Sequence, residues 1–212
     1  MRLGIVIAVS TTVISLAAFD QALDPQSLAE AIQIGSSRID DTRSRFHVPY
    51  RGEAAQPPVD YIDVVTPFRR IVLDAEAHTR AGQGLYGQRE ALATLGDMPW
   101  RIDLVVDLTF HPLNNYIRVP DYTVTLLTSA GTAILPLAID RTPRFGPRLT
   151  GTLSYPYGSG GGAPQNGQAI SGGMVVAQFD GRALDARGTY TILIRESGKD
   201  VAKTSVNFGR LR

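Results

Sequence analysis

Residues 100–110 read Trp-Arg-Ile-Asp-Leu-Val-Val-Asp-Leu-Thr-Phe, and this stretch decides the fold class. Every second residue from Trp100 to Phe110 is apolar, and four of the five residues between them are polar. Side chains alternate between the two faces of a β-strand, so this spacing predicts a strand with one buried face and one face in water. On that interpretation Asp103 and Asp107 solvate the exposed face.

Short alternating segments separated by turn residues continue to the end of the chain. We predict further strands at 116–119, 122–127, 133–139, 149–155, 174–179, 189–196 and 201–208, with a glycine-rich loop at 159–168. About seven short strands in roughly 115 residues are typical of an antiparallel β-sandwich.

Residues 184–194 add a more specific signal. They read Leu-Asp-Ala-Arg-Gly-Thr-Tyr-Thr-Ile-Leu-Ile, which resembles the penultimate strand of immunoglobulin-like sandwiches. In that fold a tyrosine, here Tyr190, ties the preceding turn back to the strand. The cysteines of true immunoglobulin domains are absent, so the resemblance implies a fold and no family. We therefore predict a mainly β, α+β protein with an antiparallel immunoglobulin-like β-sandwich at 98–212.

The sequence pattern of residues 19–97 is that of helices and loops, and we predict two or three helices there before the sandwich. Asp24-Pro25 is a cap followed by a proline at the first helical position, and Gly35 is the expected left-handed residue at the end of that helix. No period follows from 36 to 58, which predicts an extended linker or a wrapping arm.

A second helix is predicted to begin at Thr66-Pro67. Its apolar residues recur at helical spacing, and the helix is expected to end near Gly82. A third, weaker helix is predicted at 86–95. The apolar stripes are narrow, so we expect these helices to pack on the sandwich or on a partner.

The first eighteen residues predict export. Met1-Arg2 is followed by an apolar run from Leu3 to Ile14 and by the small-x-small sequence Ser15-Leu16-Ala17. This order is that of a secretory signal peptide, which we place at 1–18. An uncleaved anchor is the alternative, although the apolar run is shorter than the roughly 20 residues that span a bilayer. We expect a periplasmic or extracellular protein with no transmembrane span after cleavage.

Composition excludes several classes of function. The chain has 212 residues, a formal net charge of +1 and no cysteine. A balanced charge gives no general attraction to nucleic acid, and the lack of cysteine excludes disulfides, iron–sulfur clusters and thiol catalysis. Nineteen of the basic residues are arginine and two are lysine, a bias that a GC-rich genome also produces.

The candidate ligand site is the densest cluster of positive charge, Arg141, Arg144 and Arg148, in a segment that contains two prolines and a glycine. Guanidinium groups bind phosphates, carboxylates and sugar acids. A solvated loop is the simpler interpretation of the same residues. The nearby aromatic residues Phe145, Tyr155 and Tyr157 are the candidates for a sugar-binding surface.

Catalytic and metal-binding patterns are weak. A hydrolase would need Asp60, Asp63, His78 or His111 to converge in a cleft of the fold. Four aspartates lie at predicted strand ends and are candidate calcium ligands: Asp121, Asp140, Asp180 and Asp185. The sequence contains no Asp-x-Asp-x-Asp loop, the usual pattern of a calcium site. We predict no metal site and no cofactor. The sequence also predicts that His47 lies in a loop.

The sequence as a whole favours an exported, non-enzymatic binding or scaffold protein of the bacterial cell envelope that contacts another protein. Two alternatives stay open: a module that binds a small ligand or carbohydrate, and a hydrolase whose site is assembled only in the fold.

Overall fold

The computed structural model describes residues 19, 23–146 and 169–212. The predicted signal peptide at 1–18, the strand predicted at 149–155 and the glycine-rich loop at 159–168 lie outside the described residues. The described part contains four α-helices and two antiparallel sheets, and it is mostly β. The predicted α+β class is therefore confirmed. Within these residues, no helix combines the length and the hydropathy that a membrane crossing needs.

The helices are α1 (Pro25–Gly35), α2 (Asp40–His47), α3 (Pro67–Arg80) and α4 (Gln88–Leu95). The strands are β1 (Arg51–Gln56), β2 (Val59–Val65), β3 (Arg101–Thr109), β4 (Tyr122–Leu127), β5 (Ala133–Ile134), β6 (Ala138–Arg144), β7 (Gly172–Asp180), β8 (Thr189–Glu196) and β9 (Lys199–Asn207). The first sheet has the order β1-β2-β3-β7-β6, and the second has the order β5-β4-β8-β9.

The inner faces of the two sheets share one hydrophobic core. Ile102, Leu104, Val106 and Leu108 of β3 are completely buried, and they belong to the same cluster as the inward residues of β4 and β8 in the second sheet. The apolar face predicted at 100–110 is therefore confirmed. Burial of this kind contributes roughly 25 cal/mol per Å² of apolar surface.

The other face of β3 differs from the prediction. Asp103 and Asp107 are each only 7% exposed, so the expectation of a solvated face is wrong. Leu73 of α3 packs with Val105 and Val176 over this side of the first sheet. Asp103 and Asp107 are covered and paired with arginines. A buried face with paired charges has the same alternation of apolar and polar residues in the sequence as a face in water.

The second sheet follows the sequence closely. Strands β4 and β8 have the predicted bounds, and β8 and β9 form the predicted hairpin. Its two-residue turn is Ser197-Gly198, with φ angles of 49° and 81°. The Tyr190 hydroxyl accepts a hydrogen bond from the backbone N–H of Asp185 at 2.7 Å, which is the tie between turn and strand that the sequence predicts.

Two predicted strands are corrected. No strand forms at 116–119, because the Asn114 side chain binds the backbone of His111 and Tyr116 and holds this segment as a loop. The strand predicted at 133–139 is two strands, β5 in the second sheet and β6 in the first. Pro136 lies between them, where a missing N–H interrupts a ladder of hydrogen bonds.

The prediction of an extended linker at 36–58 is wrong. This segment forms α2, a 3-10 turn at Val48–Tyr50 and β1. Strand β1 pairs with β2, which in turn pairs with β3, so the first sheet crosses the boundary drawn at residue 98. Among the residues of β1 whose burial is described, Ala54 is the buried one, and the buried residues of α2 are Arg43 and His47. Neither element therefore has the repeated apolar residues that give a clear period.

Helices α1 and α3 begin where the sequence predicts, and α4 begins two residues after the predicted start at 86. The Asp24 carboxylate accepts a hydrogen bond from the Ser27 N–H at 2.6 Å, and the Thr66 hydroxyl accepts one from the Arg69 N–H at 3.2 Å. Both caps precede a proline at the first helical position, where its missing N–H costs nothing. Helices α1, α3 and α4 form their own apolar cluster, to which the Phe46 ring of α2 also contributes.

Gly35 has a different role from the predicted one. The left-handed cap is absent, because α1 continues through Gly35 and its cap residue, Ser36, has a φ of −80°. A Cβ atom on Gly35 would lie 2.4 Å from the Val72 carbonyl oxygen and 2.7 Å from the Ala75 Cβ atom. The glycine is therefore required for the close approach of α1 to α3.

We predict that Gly35→Ala lowers the free energy of unfolding by about 1–3 kcal/mol, because α1 must move away from α3. Urea denaturation measures the change. Gly84→Ala is the matched control, since a Cβ atom there meets nothing within 4 Å. Equal stability of the two variants would contradict the close-approach role of Gly35.

Candidate functional site

Two arginines in the first turn of α3 bind the outer face of the first sheet. Arg69 is completely buried and Arg70 is 3% exposed. The Arg69 guanidinium donates to the Val64 carbonyl oxygen at 2.7 Å and to the Asp63 carboxylate at 3.3 Å. Arg70 donates to Asp103 at 3.2 Å. A buried charge needs a partner of opposite sign, and both acids lie on the face of the sheet that α3 covers.

A histidine and a glutamate extend this network on the side of α2. Nε2 of His47 lies 3.0 Å from the Glu76 carboxylate, and Nδ1 accepts a hydrogen bond from Nε of Arg69 at 3.4 Å. Since a guanidinium can only donate, the imidazole carries its proton on Nε2 and donates it to Glu76. Both ring nitrogens are therefore engaged.

Glu76 is the centre of the network. Burial by itself raises the pKa of its carboxyl, but the hydrogen bond from His47 and the positive charges of Arg80 and Arg43 more than offset this, and the pKa lies below its ordinary value of 4.5. The carboxylate meets Arg80 at 2.5 Å and Arg43 at 3.3 Å. It is 2% exposed and stays ionised at neutral pH.

A pocket of about 230 Å³ opens beside this network. The Arg51 and Arg80 side chains line it and are 40% and 54% exposed. Arg51 binds Asp63 at 3.0 Å and lies over the Tyr61 ring. The other lining residues are Ser44, His47, Val48 and Glu76.

Positive charge exceeds negative charge in the contacts around this pocket. Four guanidinium groups share three carboxylates. They belong to Arg43, Arg51, Arg69 and Arg80 and to Asp40, Asp63 and Glu76. The arrangement can accept a small anion between Arg51 and Arg80, since each guanidinium has five donors and both are partly in water. We call the lining residues of this pocket the His47–Glu76 site.

The predicted arginine cluster is divided by the first sheet. Arg141 donates to the Tyr122 carbonyl oxygen of the second sheet at 2.8 Å. Arg144 donates to Asp107 on the outer face at 2.7 Å. The two guanidiniums therefore lie on opposite faces of β6, while Arg148 lies outside the described residues. Anion binding by this cluster stays a prediction.

Arg144 belongs to a second polar group on the outer face. Besides Asp107, it donates to the Leu108 carbonyl oxygen at 2.7 Å and to the Thr109 hydroxyl at 2.9 Å. Burial, followed by the charge of Asp107, raises the pKa of the Tyr61 hydroxyl to about 12. The phenol is therefore protonated at neutral pH and donates to Asp107.

The four residues proposed for a hydrolase engage four separate sets of partners. Asp60 accepts a hydrogen bond from Thr109 at 2.6 Å, and Asp63 binds two arginines. His78 packs edge-on against a tyrosine ring, and His111 accepts a hydrogen bond from its own loop.

The other sequence candidates are also scattered. The described residues contain no group of three or more His, Asp or Glu side chains that could hold a metal ion. Asp180, one of the strand-end aspartates, binds Arg182 at 2.8 Å. Phe145 packs against the core between the sheets, and Tyr155 and Tyr157 lie outside the described residues.

Sequence reasoning missed the residues that form the His47–Glu76 site. His47 ends α2 and is 8% exposed, so its expected place in a loop is wrong. Arg69-Arg70 directly after a capped helix start was the available signal for the buried ion pairs next to this site. Charged residues in a first turn are common on solvated helices as well, so the pattern does not by itself indicate burial.

Comparison of the chain with protein-family models, with curated proteins and with solved structures gave no match.

We predict that Glu76→Gln lowers the free energy of unfolding at pH 7 by about 3 kcal/mol, because it leaves buried cationic groups without their anion. The pKa of Glu76 is lower in the folded chain. Its contribution is therefore fully present above the unfolded value of about 4.5 and is lost as the pH falls through the folded value.

Urea denaturation of both proteins between pH 7 and pH 3 measures this, and the difference between them should shrink toward acid. Asp41→Asn is the control, because that carboxylate is 66% exposed and its pair with Arg45 is on the surface. A difference that is constant with pH would contradict the role of the Glu76 charge.

Proposed function

We propose that this chain is an exported, non-enzymatic binding or scaffold protein of the bacterial cell envelope that contacts another protein. The observation that carries the proposal is the engagement of the buried titratable groups in ion pairs. Both nitrogens of His47 are bound, and Glu76, Asp63 and Asp103 each meet at least one arginine. Such groups hold the fold together and offer no free base to a substrate.

The proposed architecture is an immunoglobulin-like sandwich. The support is the common core of two antiparallel sheets together with the hydrogen bond between Tyr190 and Asp185. Sandwiches of this kind use sheet edges and loops for contacts, although the fold alone does not define a function.

The proposed contact surface lies at the edge formed by β6. The β1 edge of the same sheet contacts β9 of the second sheet, whereas β6 is the last strand on the other side among residues 23–146 and 169–212. Leu135 and Leu137, which lead into β6, are 71% and 57% exposed. We infer that an extended segment of the partner pairs with β6 and buries these two leucines, since no strand within the described residues pairs with the outer edge of β6 and exposed sheet edges bind extended segments.

The second candidate function is binding of a small anion at the His47–Glu76 site. The specific support is the excess of guanidinium groups and the partial exposure of Arg51 and Arg80. A phosphate, a carboxylate or an acidic sugar has the required charge. The hydrolase alternative has less support, because its four residues have separate partners.

A photocrosslinking residue tests the partner proposal. We predict that benzoylphenylalanine in place of Leu137, in the full-length chain in its native host, gives a discrete adduct with an envelope protein. The same residue at Leu92 of α4, which is 54% exposed, is the matched control and should give none. Adducts are detected by blotting and identified by mass spectrometry. Identical patterns from both positions, or no adduct from position 137, would exclude this surface.

The anion proposal predicts a higher melting temperature in inorganic phosphate at constant ionic strength. Binding to the folded state contributes about 2.7 kcal/mol at roughly 100 times Kd. Arg80→Gln should abolish the shift, and Arg45→Gln, which alters an exposed side chain of α2, should keep it. An equal shift in the Arg80 variant would show that phosphate acts elsewhere.

A further inference from the structure

Phe19 is buried in the core between the sheets. Its side chain is 2% exposed, and its ring centroid lies 5.3 Å from that of Phe208. The Phe208 ring in turn packs edge-on against Tyr190 at 5.3 Å. Phe208 is completely buried, so Phe19 covers a residue that would otherwise face water or a void.

The position of Phe19 in the sequence connects its burial to the processing of the chain. It directly follows the predicted signal peptide at 1–18, in which Ser15-Leu16-Ala17 provides the small-x-small pattern. Cleavage on the carboxyl side of Phe19 would remove a core side chain and leave a cavity against Phe208. The core therefore sets a limit on the processing site that the signal pattern alone does not set.

We propose that the signal is cleaved at the Ala17–Ala18 or the Ala18–Phe19 bond, and that Phe19, as the first or second residue of the processed chain, completes the core. The proposal rests on the proposed export. Cleavage is hydrolysis of one peptide bond, in which water supplies the new carboxylate and the new amino group. The processed N-terminus is in this way a structural element, held in the core by the contact of Phe19 with the Phe208 ring.

Intact-mass measurement tests the processing site. The full-length chain is expressed in a bacterial host and isolated from the envelope fraction. The expected mass is that of residues 18–212 or 19–212. A chain that begins after Phe19 would overturn the proposal. An intact 1–212 chain would refute cleavage and weaken the export proposal, while the stability test below would still decide whether Phe19 completes the core.

Substitution of Phe19 tests its place in the core. Phe19→Ala, made in the full-length chain, should be processed normally, and it should lower the melting temperature of the isolated protein by roughly 6–20 °C, as the loss of a buried Phe ring does. Leu85→Ala is the control, because Leu85 is 99% exposed, and it should change nothing.

Phe19→Leu keeps the test decisive if the alanine variant does not accumulate. Leucine fills part of the same space, so we expect a smaller decrease in melting temperature. Stability equal to that of the unsubstituted protein in both variants would overturn the role of Phe19, whatever the cleavage site.

Discussion

The placement of α3 on the first sheet depends on the pairing of its buried arginines. Arg69 and Arg70 lie in the first turn of the helix, where the helix dipole disfavours positive charge. Burial adds a penalty of several kcal/mol for each unpaired ion. Asp63 and Asp103 remove both penalties, and they come from adjacent strands of one face. The helix is therefore fixed in position by the register of β2 and β3.

The remaining helices follow from this placement. With its arginines and Leu73 directed to the sheet, α3 presents Phe68, Ile71, Val72 and Ala75 to α1 and α4. Gly35 lets α1 approach closely. The described part of the molecule is thus layered from the second sheet through the first sheet and α3 to the outer helices. Buried ion pairs accompany the apolar contacts between the first sheet and α3, and the other two boundaries are mainly apolar.

The elements that the sequence predicted well are those whose signal is local. Asp24 and Thr66 cap helices through their own neighbours. Burial alternates along β4, and it alternates along β8 except at Leu193. Strand β2 was not predicted because its register shifts between Val59 and Tyr61, and such an irregularity changes which residues face inward. The outer face of β3 was misjudged because Arg70 and Arg144, which pair with its two aspartates from other elements, are distant in sequence.

In the candidate sites, one arrangement could have been predicted from local spacing and another could not. Arg141 and Arg144 are three residues apart, and an odd spacing on a strand places side chains on opposite faces. Extending the predicted strand to Arg144 would have separated them. No comparable local rule brings His47 to Glu76, which are 29 residues apart. That contact exists because α2 packs beside α3, and it places four guanidiniums around three carboxylates. These guanidiniums neutralise the buried carboxylates, and the exposed parts of Arg51 and Arg80 are the groups that the proposed anion would contact.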